Sequence, residues 1–345
     1  MVIQPYRGYG TEDEVYLMGR VFRQPRLGSG IKPGSFLREV ADVLRRFARW
    51  GLGGVDVTAR IGRTERRFTT DSDGYFHITL NPRGDLDLSE RWHSVQLEVT
   101  RKGETTGATG LVYLPPPSAR RVIISDIDDT VMHTGVASKL KMLWRLFVQG
   151  AESRAAFPGV ASLYQGLHEG AGGDEGNPML YVSRAPWSIY EVLETFFRLN
   201  DIPEGPVLFL REWGLTLQRP LPRRARDHKR ELIEDMLARY PELPFVLIGD
   251  SGQHDPEVYA EVVRNHPDRV EAVYIRDVTL EEGRSEEIHA LWQASQAVEI
   301  PLVLTDESEV MAEHAAEAGF IPPESGMMAH DAGSDANERR ETLVG

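Results

Sequence analysis

The fold is decided by the stretch Val122-Ile123-Ile124-Ser125-Asp126-Ile127-Asp128-Asp129-Thr130. An apolar, β-branched run ends there in two carboxylates, and it predicts a buried strand of a parallel sheet. Because side chains alternate along a strand, Asp126 and Asp128 are expected on one face at its end. Two carboxylates so close repel each other unless a cation or a shared proton lies between them. The stretch therefore predicts a chemical site rather than a solvated turn.

Strands and helices alternate from Arg121 onward. This alternation predicts an α/β domain over 119–305, built as a doubly wound parallel sheet with helices on both faces. In such sheets, sites form where the strands end. Strands are predicted at 122–125, 179–183, 207–210, 245–249, 270–275 and, at an edge, 301–304. Helices are predicted near 138–149, 159–169, 187–198, 228–240, 256–266 and 286–297.

Short alternating strands dominate residues 1–116 and predict a small β-sandwich-like domain. One helical pattern, over 37–47, interrupts it. Asp71-Ser72-Asp73-Gly74 is read as a hairpin turn, with a calcium loop as the alternative. Pro115-Pro116-Pro117 predicts a linker. Residues 306–345 begin with a helical pattern at 310–318 and are otherwise expected to form an acidic, largely disordered tail.

Composition excludes several classes of protein. No cysteine is present, so disulfides, thiolate zinc sites and cysteine nucleophiles are excluded. The first residues do not read as a signal peptide, and no apolar run is long enough to span a membrane. With a net charge of −14, the chain as a whole would be repelled by nucleic acid and by anionic membranes, so any contact with an anionic partner must come from a local basic patch. Residues 306–345 hold ten acidic and two basic residues, a net of −8, which leaves −6 for the rest. A cytoplasmic location is expected.

Three further motifs follow strands or begin helices. Ser183 ends the strand at 179–183 and Arg184 follows it. Lys229 lies in the first turn of an amphipathic helix, and Asp250 and Asp255 follow the strand at 245–249. Phosphoryl transfer through a carboxylate needs a nucleophile, a nearby acid, a hard divalent cation and cationic or hydroxyl partners for phosphate oxygens. Each motif alone has low specificity, but the combination of all the motifs in this order is much more specific.

This combination resembles the haloacid-dehalogenase superfamily of phosphatases. The resemblance implies that Asp126 is the nucleophile, and that Asp128 is the general acid/base and lends its backbone carbonyl to Mg²⁺. It implies that Asp250 is the late magnesium ligand, supported by Asp255. Ser183 and Lys229 match the residues that hold phosphate, and Arg184 is a further candidate for that role.

Longer strings resemble a narrower family, that of the yeast actin-patch-associated phosphatidate phosphatase, which is distantly similar to the lipins. The resemblance spans about 120–280 and implies magnesium-dependent hydrolysis of phosphatidate to diacylglycerol. A phosphatase of a soluble phosphomonoester and a non-catalytic lipid-binding scaffold remain as alternatives. The sequence segments that carry this family resemblance include Phe157-Pro158-Gly159-Val160, Tyr181-Val182-Ser183-Arg184-Ala185-Pro186-Trp187, Leu210-Arg211-Glu212-Trp213-Gly214 and Asp250-Ser251-Gly252-Gln253-His254-Asp255-Pro256-Glu257.

Basic residues precede Lys229 in the predicted loop 218–226. Arg223, Arg224 and Arg226 are candidate contacts for a phosphate headgroup, and the alternative is a solvated basic loop. The helical pattern at 139–148 is either an interfacial helix or, as we prefer, a helix packed on its own domain. The expected partner is an anionic phospholipid at a membrane surface, contacted peripherally.

Overall fold

The computed structural model describes residues 1–23, 50–82, 84, 86–127, 159–184, 187–209, 225–279, 281, 283–295 and 299–323. The chain divides into two compact units, whose principal parts are Met1–Pro117 and the described residues from Ser118 onward. The division follows Pro117, the last residue of the proline run that was read as a linker. Each unit has its own sheet.

One nine-stranded sheet forms the first unit. Its neighbouring strands run antiparallel except for β2 and β9, which are parallel. Because all nine strands belong to one hydrogen-bonded sheet, a β-rich unit is established, and the division into two facing sheets stays a prediction. The strands are β1 (Val2–Pro5), β2 (Gly8–Gly10), β3 (Val15–Arg23), β4 (Trp50–Gly51), β5 (Asp56–Ile61), β6 (Thr64–Thr69), β7 (Tyr75–Leu80), β8 (Trp92–Arg101) and β9 (Glu104–Tyr113).

The alternation predicted for this unit builds its core. In β5, Val57, Ala59 and Ile61 are buried while their neighbours face outward. The turn before β7 is closed by the Asp71 carboxylate, which accepts hydrogen bonds from the backbone N–H groups of Asp73 and Tyr75. The turn is thus explained by local hydrogen bonds without a calcium ion. The predicted helix at 37–47 lies outside the described residues.

Six parallel strands form the sheet of the second unit, in the order β12-β11-β10-β13-β14-β15. The chain runs from β10 outward to β12 and then continues on the other side of β10 with β13. This reversal creates a crevice between the loops that leave β10 and β13. The predicted edge position of the last strand is confirmed. The strands are β10 (Val122–Asp126), β11 (Met179–Ser183), β12 (Val207–Phe209), β13 (Phe245–Asp250), β14 (Val270–Arg276) and β15 (Leu302–Thr305).

Helices alternate with these strands, which confirms an α/β unit with a parallel sheet. The doubly wound arrangement itself stays a prediction. Within the described ranges, no helix is long and apolar enough to cross a membrane. The helices are α1 (Val160–Glu169), α2 (Tyr190–Leu199), α3 (Ala225–Arg239), α4 (Asp255–Asn265), α5 (Arg284–Ala294) and α6 (Ser308–Glu317), with short 3-10 helices at Trp187–Ile189 and Pro267–Arg269.

The helical pattern predicted at 310–318 is confirmed by α6, which buries Met311, Ala312 and Ala315. A single apolar face is enough to pack such an acidic helix. One predicted boundary is wrong. The loop predicted through Arg226 ends earlier, since α3 already includes Ala225. Residues 324–345 lie outside the described ranges.

Candidate active site

Three predicted site residues lie at the carboxyl ends of neighbouring strands. Asp126 ends β10, Ser183 ends β11 and Asp250 ends β13. The parallel register pairs Asp126 with Val182, so Ser183 lies one residue beyond the level of Asp126. All three side chains are buried. The structure thus brings the first, second and fourth motifs together at the reversal point of the sheet.

Three carboxylates converge there. Asp126, Asp250 and Asp255 each offer an oxygen, and these oxygens lie within 4.8 Å of one another. None of the three residues is exposed to solvent. Buried carboxylates at this distance disfavour one another's charge unless cations compensate them. The cluster is therefore a site that demands positive charge.

Lys229 supplies one such charge from α3. Its Nζ donates hydrogen bonds to Oδ1 of Asp126 at 2.7 Å and to Oδ1 of Asp255 at 2.5 Å. The ammonium also lies 5.6 Å from the centre of the Tyr259 ring, within cation–π range. Its side chain is only 1% exposed. Lys229 thus joins the third motif to the first and fourth.

The environment keeps Lys229 protonated. Burial lowers the pKa of its ammonium, but the carboxylates of Asp126 and Asp255 more than offset this and raise that pKa well above its ordinary value. Burial is the main cause of a pKa of Tyr259 well above its ordinary value, and the nearby carboxylates raise that pKa further. Its hydroxyl donates to the backbone carbonyl of Ile248 in β13. Lys229 is therefore a fixed positive charge at neutral pH.

Both oxygens of Asp255 are already engaged. Oδ1 accepts from Lys229, and Oδ2 accepts from the backbone N–H of Asp250 at 3.1 Å. Gly249 allows this close approach, because a Cβ atom there would lie 2.7 Å from the Cβ of Asp255. The Gly-Asp pair was read only as part of a motif, and its glycine was not recognised as a packing requirement. Asp255 is thus held as a support for the cluster.

The loop after β13 is tied down by residues that the motifs did not reveal. Gln253 donates its side-chain N–H to Oδ2 of Asp250 at 3.0 Å. Arg284, at the start of α5, donates to the backbone carbonyls of Ser251 and Gln253 at 3.2 and 3.3 Å. It also pairs with Glu257 at 2.9 Å. No local sequence pattern marks Arg284, because its partners come from the preceding loop and helix.

Asp277 holds the same loop from the end of β14. Its carboxylate accepts hydrogen bonds from the hydroxyls of Ser251 and Ser285, each at 2.8 Å. Burial raises the pKa of Asp277, but these hydrogen bonds outweigh it and lower the pKa below its ordinary value. Asp277 therefore remains an acceptor for both hydroxyls.

Tyr164 supports the end of β10 from helix α1. Its hydroxyl lies 2.6 Å from that of Ser125, which donates to the Asp126 carbonyl at 2.9 Å. Burial is the main cause of a pKa of Tyr164 above its ordinary value. The tyrosine is part of an amphipathic pattern, so the sequence predicted only its burial. Its hydrogen bond depends on how α1 packs on the sheet.

Several predicted site residues lie outside the described residues or outside the cluster of carboxylates. Asp128 lies outside the described residues, as do Arg223 and Arg224, and the side chain of Arg226 is likewise undescribed. Arg184 follows Ser183 and is half-buried. The helix predicted at 139–148 also lies outside the described ranges. The described site therefore consists of Asp126, Ser183, Lys229, Asp250 and Asp255.

Comparison with known proteins identifies the part of the chain that holds this site. Residues 121–277 match the family described as "Phosphatidate phosphatase APP1, catalytic domain". The predicted resemblance to this family is confirmed. Phosphatidate phosphatase APP1 of Saccharomyces cerevisiae is 33% identical over 155 residues, which is 45% of this chain and 25% of the yeast protein. An uncharacterized protein of Schizosaccharomyces pombe is 29% identical over 157 residues, again 45% of this chain and 25% of that protein.

The chain thus spans about a quarter of the length of these curated relatives. The matched region contains every described site residue but excludes Arg284 and Met1–Pro117, the principal part of the first unit. Among solved structures, a carbohydrate acetylesterase from Xanthomonas citri aligns with 85% of this chain and 72% of its own, at 10% identity and a TM-score of 0.28. A similarity at that level carries no argument about function.

Proposed function

We propose that the chain is a magnesium-dependent phosphatase of the haloacid-dehalogenase type that removes phosphate from phosphatidate. The observation that carries the proposal is the pairing of buried Lys229 with Asp126 inside a cluster of three carboxylates. A lysine beside a candidate carboxylate nucleophile is suited to bind the substrate's phosphate, because its positive charge neutralises both the carboxylate and the phosphate. The doubly wound fold expected for this superfamily agrees with the strand order around β10.

The charge of the cluster supports a divalent cation. Three carboxylates and one ammonium leave a net charge of −2 in a buried site. Carboxylate oxygens are hard donors, which suits Mg²⁺. Asp126 and Asp250 would hold the ion together with Asp128, whereas Asp255 would support it, because both oxygens of Asp255 have other partners. When bound, the cation screens the negative nucleophile from the negative substrate.

Each residue of the site then has a separate role in the reaction. An oxygen of Asp126 attacks phosphorus, and the bond from phosphorus to the lipid oxygen breaks. Asp128 gives a proton to that leaving oxygen and later takes one from the water that hydrolyses the aspartyl phosphate. Lys229 and Ser183 hold the remaining phosphoryl oxygens, with Arg184 as a further candidate. Lys229 suits this role because it is positively charged at neutral pH.

The substrate proposal depends on the similarity to the yeast protein and on the family strings. Phosphatidate exposes a phosphomonoester at a membrane surface, so the enzyme would act there as a peripheral protein from the cytoplasm. Arg223, Arg224 and Arg226 precede or begin the helix that carries Lys229, and they remain candidate headgroup contacts. Diacylglycerol and phosphate would be the products.

The test measures phosphate release by the full chain from phosphatidate vesicles with and without Mg²⁺. Asp126→Asn should reduce turnover about 10⁴-fold or more, the scale on which loss of a nucleophile acts. Asp268→Asn removes an exposed carboxylate of the same unit and is the matched control. Radiolabelled phosphatidate should label wild type but not Asp126→Asn. Full activity of Asp126→Asn would refute the assignment of Asp126 as the nucleophile. Rapid hydrolysis of soluble phosphomonoesters with none of phosphatidate would refute the lipid substrate.

A further inference from the structure

A cavity of about 280 Å³ opens on the first unit, and none of its lining residues is assigned to the active site. Its walls come from the N-terminal strand, the end of β3, the residue after β4 and the β8–β9 hairpin. The cavity is lined by Met1, Arg23, Leu52, Arg101, Lys102 and Glu104. Three cationic side chains thus share one opening with a single carboxylate.

Among the described residues, none of Arg23, Arg101 and Lys102 makes an ion pair, although Glu104 lines the same cavity. The Nη1 atom of Arg101 is buried and has no hydrogen-bond partner. A buried guanidinium nitrogen without a partner is costly, since it has lost water and gained no acceptor. An anion in the cavity would satisfy it.

An exposed aromatic residue borders the cavity. Trp50 is 76% exposed, the largest value among the exposed large hydrophobic side chains of the described residues. It is paired in register with Arg23 across β3 and β4. Tryptophan beside basic residues suits the boundary between lipid headgroups and acyl chains, where its ring is apolar and its N–H is polar.

The segment that joins Arg23 to Trp50, residues 24–49, holds six basic and two acidic residues, a net charge of +4 in a chain of net −14. The sequence between these two residues is therefore rich in positive charge. Two exposed acidic residues, Asp71 and Asp73, lie in the turn before β7. The carboxylate of Asp71 already accepts hydrogen bonds from backbone N–H groups.

We propose that this surface, comprising Arg23, Trp50, Leu52, Arg101 and Lys102, docks the first unit on membranes that contain anionic phospholipids. A lipid phosphate enters the cavity and accepts hydrogen bonds from the cations, and Trp50 inserts at the level of the headgroups. Lipid fits better than nucleic acid, because Trp50 and Leu52 offer an apolar contact beside the charges. The docking does not depend on the proposed phosphatase activity.

The test uses cosedimentation of the full chain with phosphatidylcholine vesicles, with and without phosphatidylserine. Phosphatidylserine supplies the negative charge without offering the proposed substrate. The double variant R23Q/K102Q changes two exposed cations and should bind about 25-fold more weakly, because each basic residue near such a surface contributes about a five-fold effect. R63Q/R67Q removes the same charge from exposed positions of the same unit and should bind like wild type.

Trp50 gives a second readout. Anionic vesicles should shift the tryptophan emission of wild type to shorter wavelength, and W50F should lose part of that shift. Hydrolysis of phosphatidate in detergent micelles should stay unchanged in R23Q/K102Q, which separates docking from catalysis. Equal binding of the two double variants would overturn the proposal. So would a loss of binding to a DNA duplex in R23Q/K102Q with vesicle binding intact, since the surface would then serve nucleic acid.

Discussion

Replacing Lys229 by glutamine tests whether the buried charge cluster is organised as described. Lys229 lies 2.7 Å from Asp126 and 2.5 Å from Asp255, and its side chain is 1% exposed beside carboxylates that are 0% exposed. In Lys229→Gln the local charge changes from −2 to −3. The buried carboxylates then lose the positive charge that Lys229 supplies, so the variant is strongly destabilised.

The expected loss is about 3–5 kcal/mol of unfolding free energy, the usual result of removing one partner of a buried ion pair. Arg230→Gln is a matched control on the same helix. Arg230 also lies 2.7 Å from a carboxylate, that of Glu261, but the two side chains are 31% and 24% exposed. Solvent screens such a pair, and its loss should cost no more than about 1 kcal/mol. Burial alone therefore predicts the difference between the variants.

Native-state hydrogen exchange of the full chain, followed by mass spectrometry on peptides from β10 and β13, measures this free energy within the second unit. Saturating Mg²⁺ should restore part of the loss in Lys229→Gln, because a ligand that binds only the folded state stabilises it. Losses of equal size in Lys229→Gln and Arg230→Gln would contradict the reasoning. They would mean that the carboxylates carry no net charge that Lys229 must balance.

The pH dependence has a defined sign. The pKa of Lys229 is raised above its ordinary value, so its stabilisation is fully present below the unfolded-state pKa of about 10.4. It is lost only as the pH rises through the higher pKa of the folded state. The stability difference between wild type and Lys229→Gln should therefore stay constant between about pH 7 and 9.

Two further substitutions test the supports of the cluster. In Gly249→Ala, the new methyl group should displace Asp255 and cost about 1–3 kcal/mol of stability, measured by urea unfolding; an unchanged midpoint would show that the site is not tightly packed there. In Arg284→Gln, the loop carrying Gln253 loses one of its two anchors, so the affinity for Mn²⁺, used in place of Mg²⁺ and measured by calorimetry, should fall about 10-fold. Arg284→Lys should recover part of it, and an unaltered affinity in Arg284→Gln would remove Arg284 from the support of Asp250.

Local patterns predicted most of the second unit correctly. The strand at 179–183 has the predicted bounds, β10, β13 and β14 each end one residue later than predicted, and β15 is shifted by one residue at both ends. Such strands are recognisable because their apolar runs are short, β-branched and bounded by polar residues. The helical pattern at 310–318 likewise matches α6 to within two residues at each end.

The amino-acid sequence by itself determined the residue types of the site and their positions at strand ends and helix starts, because periodicity and side-chain chemistry are local properties. The tertiary structure decided which of them meet. Lys229 bonds to Asp126 across 103 residues and to Asp255 across 26. Many strand orders are compatible with one alternating pattern, and only the placement of β13 beside β10 puts Asp250 near Asp126. The roles of Gly249, Tyr164 and Arg284 likewise depend on packing between distant segments, which no local pattern specifies.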